Sequence, residues 1–236
     1  MVRVLSYVFY NNQKSLDLDL IIEKTPDIPP SNIDYDVVPI DGGEPLTKNK
    51  GFKGITFKID FVYFAEREEY LMKKSRIDNW LLNSIGNYLT YSLDEFTAYK
   101  VKQIQIDNTT TTSRILRHFS VTFTCTGLKY MTSGLRPIEL ISSAVLNNFG
   151  SYESKPLVKI YGSGNVSVSI GGKSFTVNNV SSYVVVDSEI KECYKDNTNK
   201  GRDMVGDYPI LPIGPININW TGNVTKLEIT PRWRCY

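Results

Sequence analysis

Apolar and polar residues alternate along much of the chain. Ile55, Phe57, Ile59, Phe61 and Tyr63 share one face of an extended segment, with Thr56, Lys58 and Asp60 opposite. A period of two is the signature of a half-buried strand. Phe119, Val121, Phe123 and Cys125 repeat the pattern, and the opposite face, Ser120, Thr122, Thr124 and Thr126, is expected to meet solvent or a partner. The opening segment, up to Tyr10, reads as a first strand. Its apolar stretch is too short, and lacks the small residues, for a cleaved leader. Between the two alternating segments the spacing of Tyr70, Ile77, Leu81 and Ile85 predicts a helix over 66–85. Glu66, Glu68 and Glu69 suit its positive end, Lys73, Lys74 and Arg76 follow them, and Gly86 supplies the stop.

Residues 23–53 break the alternation. Pro26, Pro29, Pro30, Pro39, Pro45 and Gly42-Gly43 predict a long loop, and loops of that length in compact domains commonly serve contact or function. A second change of character falls over 133–154, where Gly134, Pro137 and Gly150 flank a modest apolar segment at 138–146. A domain boundary is placed there, giving domains 1–140 and 141–236. Beyond it short strands are expected at 157–161, 166–170, 174–177, 183–186, 216–220 and 224–229, separated by turns. Gly171-Gly172 between Val166-Ser-Val-Ser-Ile170 and Lys173-Ser-Phe-Thr-Val177 fits a two-residue hairpin turn, with Val166, Val168, Ile170, Phe175 and Val177 facing a core. Residues 195–215 read as a polar loop. The fold class is therefore mainly β, with a sandwich-like first domain carrying one helix and a β-sandwich as the second.

Charge narrows the range of partners. Lys and Arg total 27 against 25 Asp and Glu, a net charge of +2, far below the footprint of a dedicated nucleic-acid binder. No apolar run approaches the roughly 20 residues that cross a bilayer, so the chain is expected to be made in a cytoplasm without membrane insertion. Cys125, Cys193 and Cys235 are odd in number and lack metal-ligand spacing, which predicts reduced, structural thiols.

Catalytic chemistry is hard to assemble from these residues. His118 is the single histidine, so a multi-histidine metal site is impossible. Gly162-Ser163-Gly164 and Gly171-Gly172 lead into no helix and read as turns rather than phosphate cradles. The carboxylate pairs Asp94 with Glu95 and Asp187 with Glu189 are read as solvated strand ends, not as an acid and base set across a sugar. No catalytic, metal or cofactor residues are assigned, and no ligand-binding set is fixed. Aromatic residues are plentiful at 12 %. Tyr183, Tyr208, Trp220, Trp233 and Tyr236 are the candidates for stacking on sugars, against the ordinary alternative of core and interface packing.

In order along the chain, several segments resemble the distal tail proteins of phages and prophages of Gram-positive hosts. In the first half these are Gly51-Phe-Lys-Gly-Ile-Thr-Phe-Lys-Ile-Asp-Phe, Asp78-Asn-Trp-Leu-Leu82, Tyr88-Leu-Thr-Tyr91 and the 119–123 strand. In the second they are Lys155-Pro-Leu-Val-Lys-Ile-Tyr-Gly-Ser-Gly164, the two-glycine hairpin, Val186-Asp-Ser-Glu189 with Cys193-Tyr194, and Asp207-Tyr-Pro-Ile-Leu-Pro-Ile-Gly-Pro-Ile-Asn217. The resemblance implies a non-enzymatic structural protein of the virion tail tip, assembled in the host cytoplasm. It implies a homohexameric ring whose first domain forms a collar, with DNA in transit through the lumen. The implied partners are the tail tube protein, a tail-associated or tail fibre protein, and receptor-binding proteins. The second domain would resemble a galectin or carbohydrate-binding module. The alternative reading is a glycan-binding module for host attachment. The galectin sugar signature is not visible, because His118 lies in the other domain, so no ligand residues are carried over.

Overall fold

The computed structural model describes residues 5–83 and 85–236. Two compact units divide the chain: one runs up to Lys129 and includes Tyr236, and the other is Tyr130–Cys235. Residues 130–140, which the sequence reading assigns to the first domain, lie in the second unit. The Ile138–Leu140 strand pairs there with the strand Gly214–Thr230.

In the first unit the strand Asp94–Ile106 serves two neighbourhoods. Its first half pairs with Tyr88–Tyr91, which pairs in turn with Val8–Tyr10. Its second half pairs with Leu116–Cys125, which matches Ile55–Phe64 residue for residue from Leu116↔Phe64 to Cys125↔Ile55. Ala98 and Tyr99 are buried in succession, followed by Val101. Alternation fails there because the strand passes from one half of the sheet to the other, and a register shift at Thr124/Cys125 accompanies the change. Phe57, Ile59, Phe61, Tyr63, Val121 and Phe123 fill the core between the halves, as their period predicts.

The helix covers Tyr70–Leu82 and is shorter than the 66–85 expected at both ends. Ala65 is buried and its N–H is bonded to the Ile115 carbonyl, so the chain leaves the sheet there and makes a turn at 67–69 before helical pairing begins. Ile77, Trp80 and Leu81 are buried, and the Trp80 indole N–H donates to the Tyr10 carbonyl at 2.8 Å. Ile85, expected on this face, lies past the end of the helix and is exposed.

The second unit is built on three long strands, Leu157–Ile170, Lys173–Asp187 and Gly214–Thr230, paired antiparallel with Leu157–Ile170 in the middle. Each fuses two of the short strands expected from sequence. The Gly162-Ser163-Gly164 segment is therefore not a turn: it lies inside a strand. A Cβ on Gly162 would sit 2.1 Å from the Asn223 carbonyl oxygen, so glycine is required for the backbones to approach. Register shifts at Gly164/Val166 and Ser163/Ser167 bend the sheet at this level. Val158 and Ile160 from one end of the central strand and Val166, Val168 and Ile170 from the other then join a single core, completed by Phe175, Ile218, Leu227 and Trp233. The bent sheet thus buries both of its ends in one core, as a β-sandwich does. Gly171 and Gly172, at φ 58° and 84°, do form the tight turn expected.

Candidate functional site

The excursion at 23–53 is not an irregular loop. Its strands Ile33–Val38 and Leu46–Phe52 form a two-stranded hairpin separate from the main sheet, and residues 37–50 are exposed without interruption. Pairing sets Ile33 against Phe52, Tyr35 against Asn49 and Val37 against Thr47. Alternation thus puts Ile33, Tyr35, Val37 and Phe52 on one face. Asp34, Asp36 and Lys48 occupy the other, where Lys50 pairs with Asp36 at 3.0 Å. Tyr35 and Val37 are 55 % and 58 % exposed, whereas Val38 and Leu46, paired with each other, are exposed on the face of Asp36 and Lys48. The hairpin's root is fixed: the Lys53 N–H bonds to the Asn32 carbonyl at 2.8 Å, and a Cβ on Gly127 would stand 2.5 Å from Phe52 Cβ. An isolated two-stranded ribbon is marginally stable in water. An amphipathic one with an uncovered apolar face is an association surface in need of a partner. Sequence flagged the segment by its prolines, but its alternation is too short and too mixed with charge to read as strands.

The other candidates are dispersed. His118 sits in the Leu116–Cys125 strand with Nδ1 2.7 Å from Glu23 Oε1, tying the segment before the hairpin to the sheet. Glu95 accepts a hydrogen bond from Tyr7, and Asp94 is at an exposed strand start, in keeping with a solvated end. Asp187 departs from that reading. It is 5 % exposed and receives both guanidinium nitrogens of Arg232 at 2.7 and 3.0 Å, while Arg232 also reaches Glu189 at 3.2 Å. Tyr130 donates to Glu189 at 3.1 Å. Burial raises the Asp187 pKa, but the hydrogen bonds and charge of Arg232, with the backbone N–H groups of Glu189 and Ile190, outweigh it and hold the carboxyl below its ordinary value. This is a structural clamp on the C-terminal segment. Among the described residues no group of three or more His, Cys, Asp or Glu could hold a metal ion, and no helix is long and apolar enough to cross a membrane.

The stacking candidates do not form a row. Trp233 is buried in the second core, and Tyr208 and Trp220 pack against that core. Tyr236 belongs to the first unit, its ring 5.7 Å from Phe52. Only Tyr183 lies on an outer sheet face, beside Tyr161, with ring centroids 6.0 Å apart. Lys159 stands over both rings, at 4.4 Å from Tyr183 and 4.8 Å from Tyr161, and Lys226 lies 4.6 Å from Tyr161. The Tyr183 hydroxyl bonds to Asp196 and that of Tyr161 to Glu228. These rings satisfy one another's neighbours and present no bare platform.

No protein-family model matches the chain, and no curated protein matches its sequence. A solved structure of a hub protein of a phage adsorption apparatus shares this fold. That solved structure is the SPP1 Dit (gp 19.1) protein, described as a paradigm of hub adsorption apparatus in Gram-positive infecting phages. It matches with a TM-score of 0.66 over 96 % of this chain and 98 % of its own, at 12 % identity. The likeness is one of fold and spans both units.

Proposed function

We propose that this chain is a structural, non-catalytic hub of a phage tail tip, forming a ring of like copies. The observation that carries this reading is the full-length fold likeness to a tail hub protein, covering nearly all of both chains. The exposed amphipathic hairpin supports it independently, since it offers each copy an apolar arm for its neighbour. On this reading the first unit forms the collar through which DNA passes, and six copies close the ring. The tail tube protein lies on one side and a tail-associated or fibre protein on the other. The second unit, the galectin-like element of this scheme, faces outward and is available to receptor-binding proteins. The chain is assembled in the host cytoplasm into the virion tail.

The test is the mass of the purified protein by light scattering across a concentration series, with negative-stain images of the same sample. A discrete ring-sized species is expected. A monomer at every concentration would overturn self-assembly.

A further inference from the structure

A groove in the first unit runs between the helix and the segment that follows the Asp94–Ile106 strand. Tyr70, Lys74, Asp78 and Leu82, spaced one turn apart, make one wall, and residues 106–109 make the other. Its volume is about 530 Å³, within the range of roughly 300–1,000 Å³ typical of small-ligand sites. At the inner end, bordered by the same Lys74, Asp78, Ile106 and Thr109, a space of about 10 Å³ reaches Tyr63. That is room for one water or one hydroxyl group. Tyr63 is 1 % exposed, and its hydroxyl has no hydrogen-bond partner among the described residues. The hydroxyl is not among the side-chain atoms sealed from solvent without a partner, so a water or a ligand hydroxyl entering that space can pair with it. Burial pushes its pKa up to about 12, so it remains a proton donor.

The walls select against charge. Lys74 is paired with Asp78, and Asp107 holds Lys58 at 2.8 Å. Neither a cation nor an anion is left uncompensated, yet both carboxylates keep free acceptor lone pairs. Asn108 and Thr109 add an amide and a hydroxyl at the rim. Leu82, Ile106 and the Tyr70 ring, backed by Arg117 at 5.2 Å, supply apolar surface. An ionic ligand would find no counter-charge, and a hydrocarbon would leave the Tyr63 hydroxyl unpaired. A neutral polyol with an apolar C–H face satisfies both.

We propose that this groove binds a neutral saccharide unit, with one sugar hydroxyl seated against Tyr63. The inference does not depend on the ring reading. It is tested by titrating the full chain, by ligand-observed NMR, with a panel of glucose, galactose, N-acetylglucosamine, rhamnose and their disaccharides, with inorganic phosphate as the charged control. At least one sugar should bind at millimolar concentration and phosphate should not. Tyr63→Phe, which removes only the hydroxyl, should weaken binding about fivefold. Asn108→Ala and Thr109→Val at the rim should do the same, and they carry the test if Tyr63→Phe fails to fold. Tyr183→Ala, in the other unit, should leave binding unchanged. The proposal is overturned if no sugar binds, if phosphate binds instead, or if binding survives the groove variants. Light scattering on the same samples separates this outcome from the oligomer question.

Discussion

Replacing Arg232 with Met removes the cation from a buried carboxylate pair while keeping much of the side chain's bulk. Asp187 is 5 % exposed and takes two hydrogen bonds from Arg232, and after the substitution only backbone N–H groups face it. Breaking a buried ion pair by deleting one partner costs about 3–5 kcal/mol, because the remaining charge is left without compensation. With a urea slope of ~1.5 kcal/mol per M for a unit of this size, the midpoint should fall by roughly 2–3 M. The two units need not unfold together, so the assay should report on the second alone. A Trp80→Phe background does this, since the remaining tryptophans, Trp220 and Trp233, both lie in that unit. The loss should also depend on pH. The folded-state pKa of Asp187 is depressed, so its contribution is present above the unfolded value of about 3.9 and disappears as pH falls through the folded one. In Arg232→Met only burial and the backbone groups act on the carboxyl, which then protonates more readily. The gap between variant and parent should therefore be widest near pH 7 and narrow towards pH 4. Arg232→Met with Asp187→Leu should recover part of the loss. A variant within 1 kcal/mol of the parent at pH 7, or a gap that ignores pH, would refute the clamp.

Three further outcomes follow from the same structure. Tyr35→Asp or Val37→Asp, on the exposed arm, should leave thermal unfolding of the isolated chain nearly unchanged while weakening self-association roughly 30-fold or more, as for an interface hot spot of about 2 kcal/mol, in sedimentation or light scattering. Gly134→Ala would place a Cβ 2.5 Å from the Trp233 backbone nitrogen, and should destabilise the second unit by about 1–3 kcal/mol in urea unfolding. Of the three thiols, Cys125 and Cys193 are buried and their pKa values are pushed up, to about 12 and about 11, with burial the main cause. Only Cys235, which is partly exposed, should react with a thiol reagent at pH 8 before denaturant is added; rapid modification of all three would contradict the packing.

Residue order alone specifies the strands that form both cores. Ile55 to Tyr63, Phe119 to Cys125 and Val166 to Val177 bury the faces that a period of two assigns to them, because one register satisfies the whole stripe and a slip of one residue would invert it. It also fixed the Gly171-Gly172 turn, where positive φ leaves little other choice. Other features depend on residues far apart in the chain. Gly162 reads as a turn until Asn223 is placed against it, and Asp187 reads as solvated until Arg232 arrives from 45 positions away. Pairing between 33–38 and 46–52 turned a proline-rich loop into an arm. The groove belongs to this second group as well. Alternation puts Tyr63 in the core, but only the helix and the 106–109 segment, packed on either side, leave a space the size of one water beside it. Periodicity is local and can be read along a line, whereas close approach, charge pairing and cavities are created when distant segments meet.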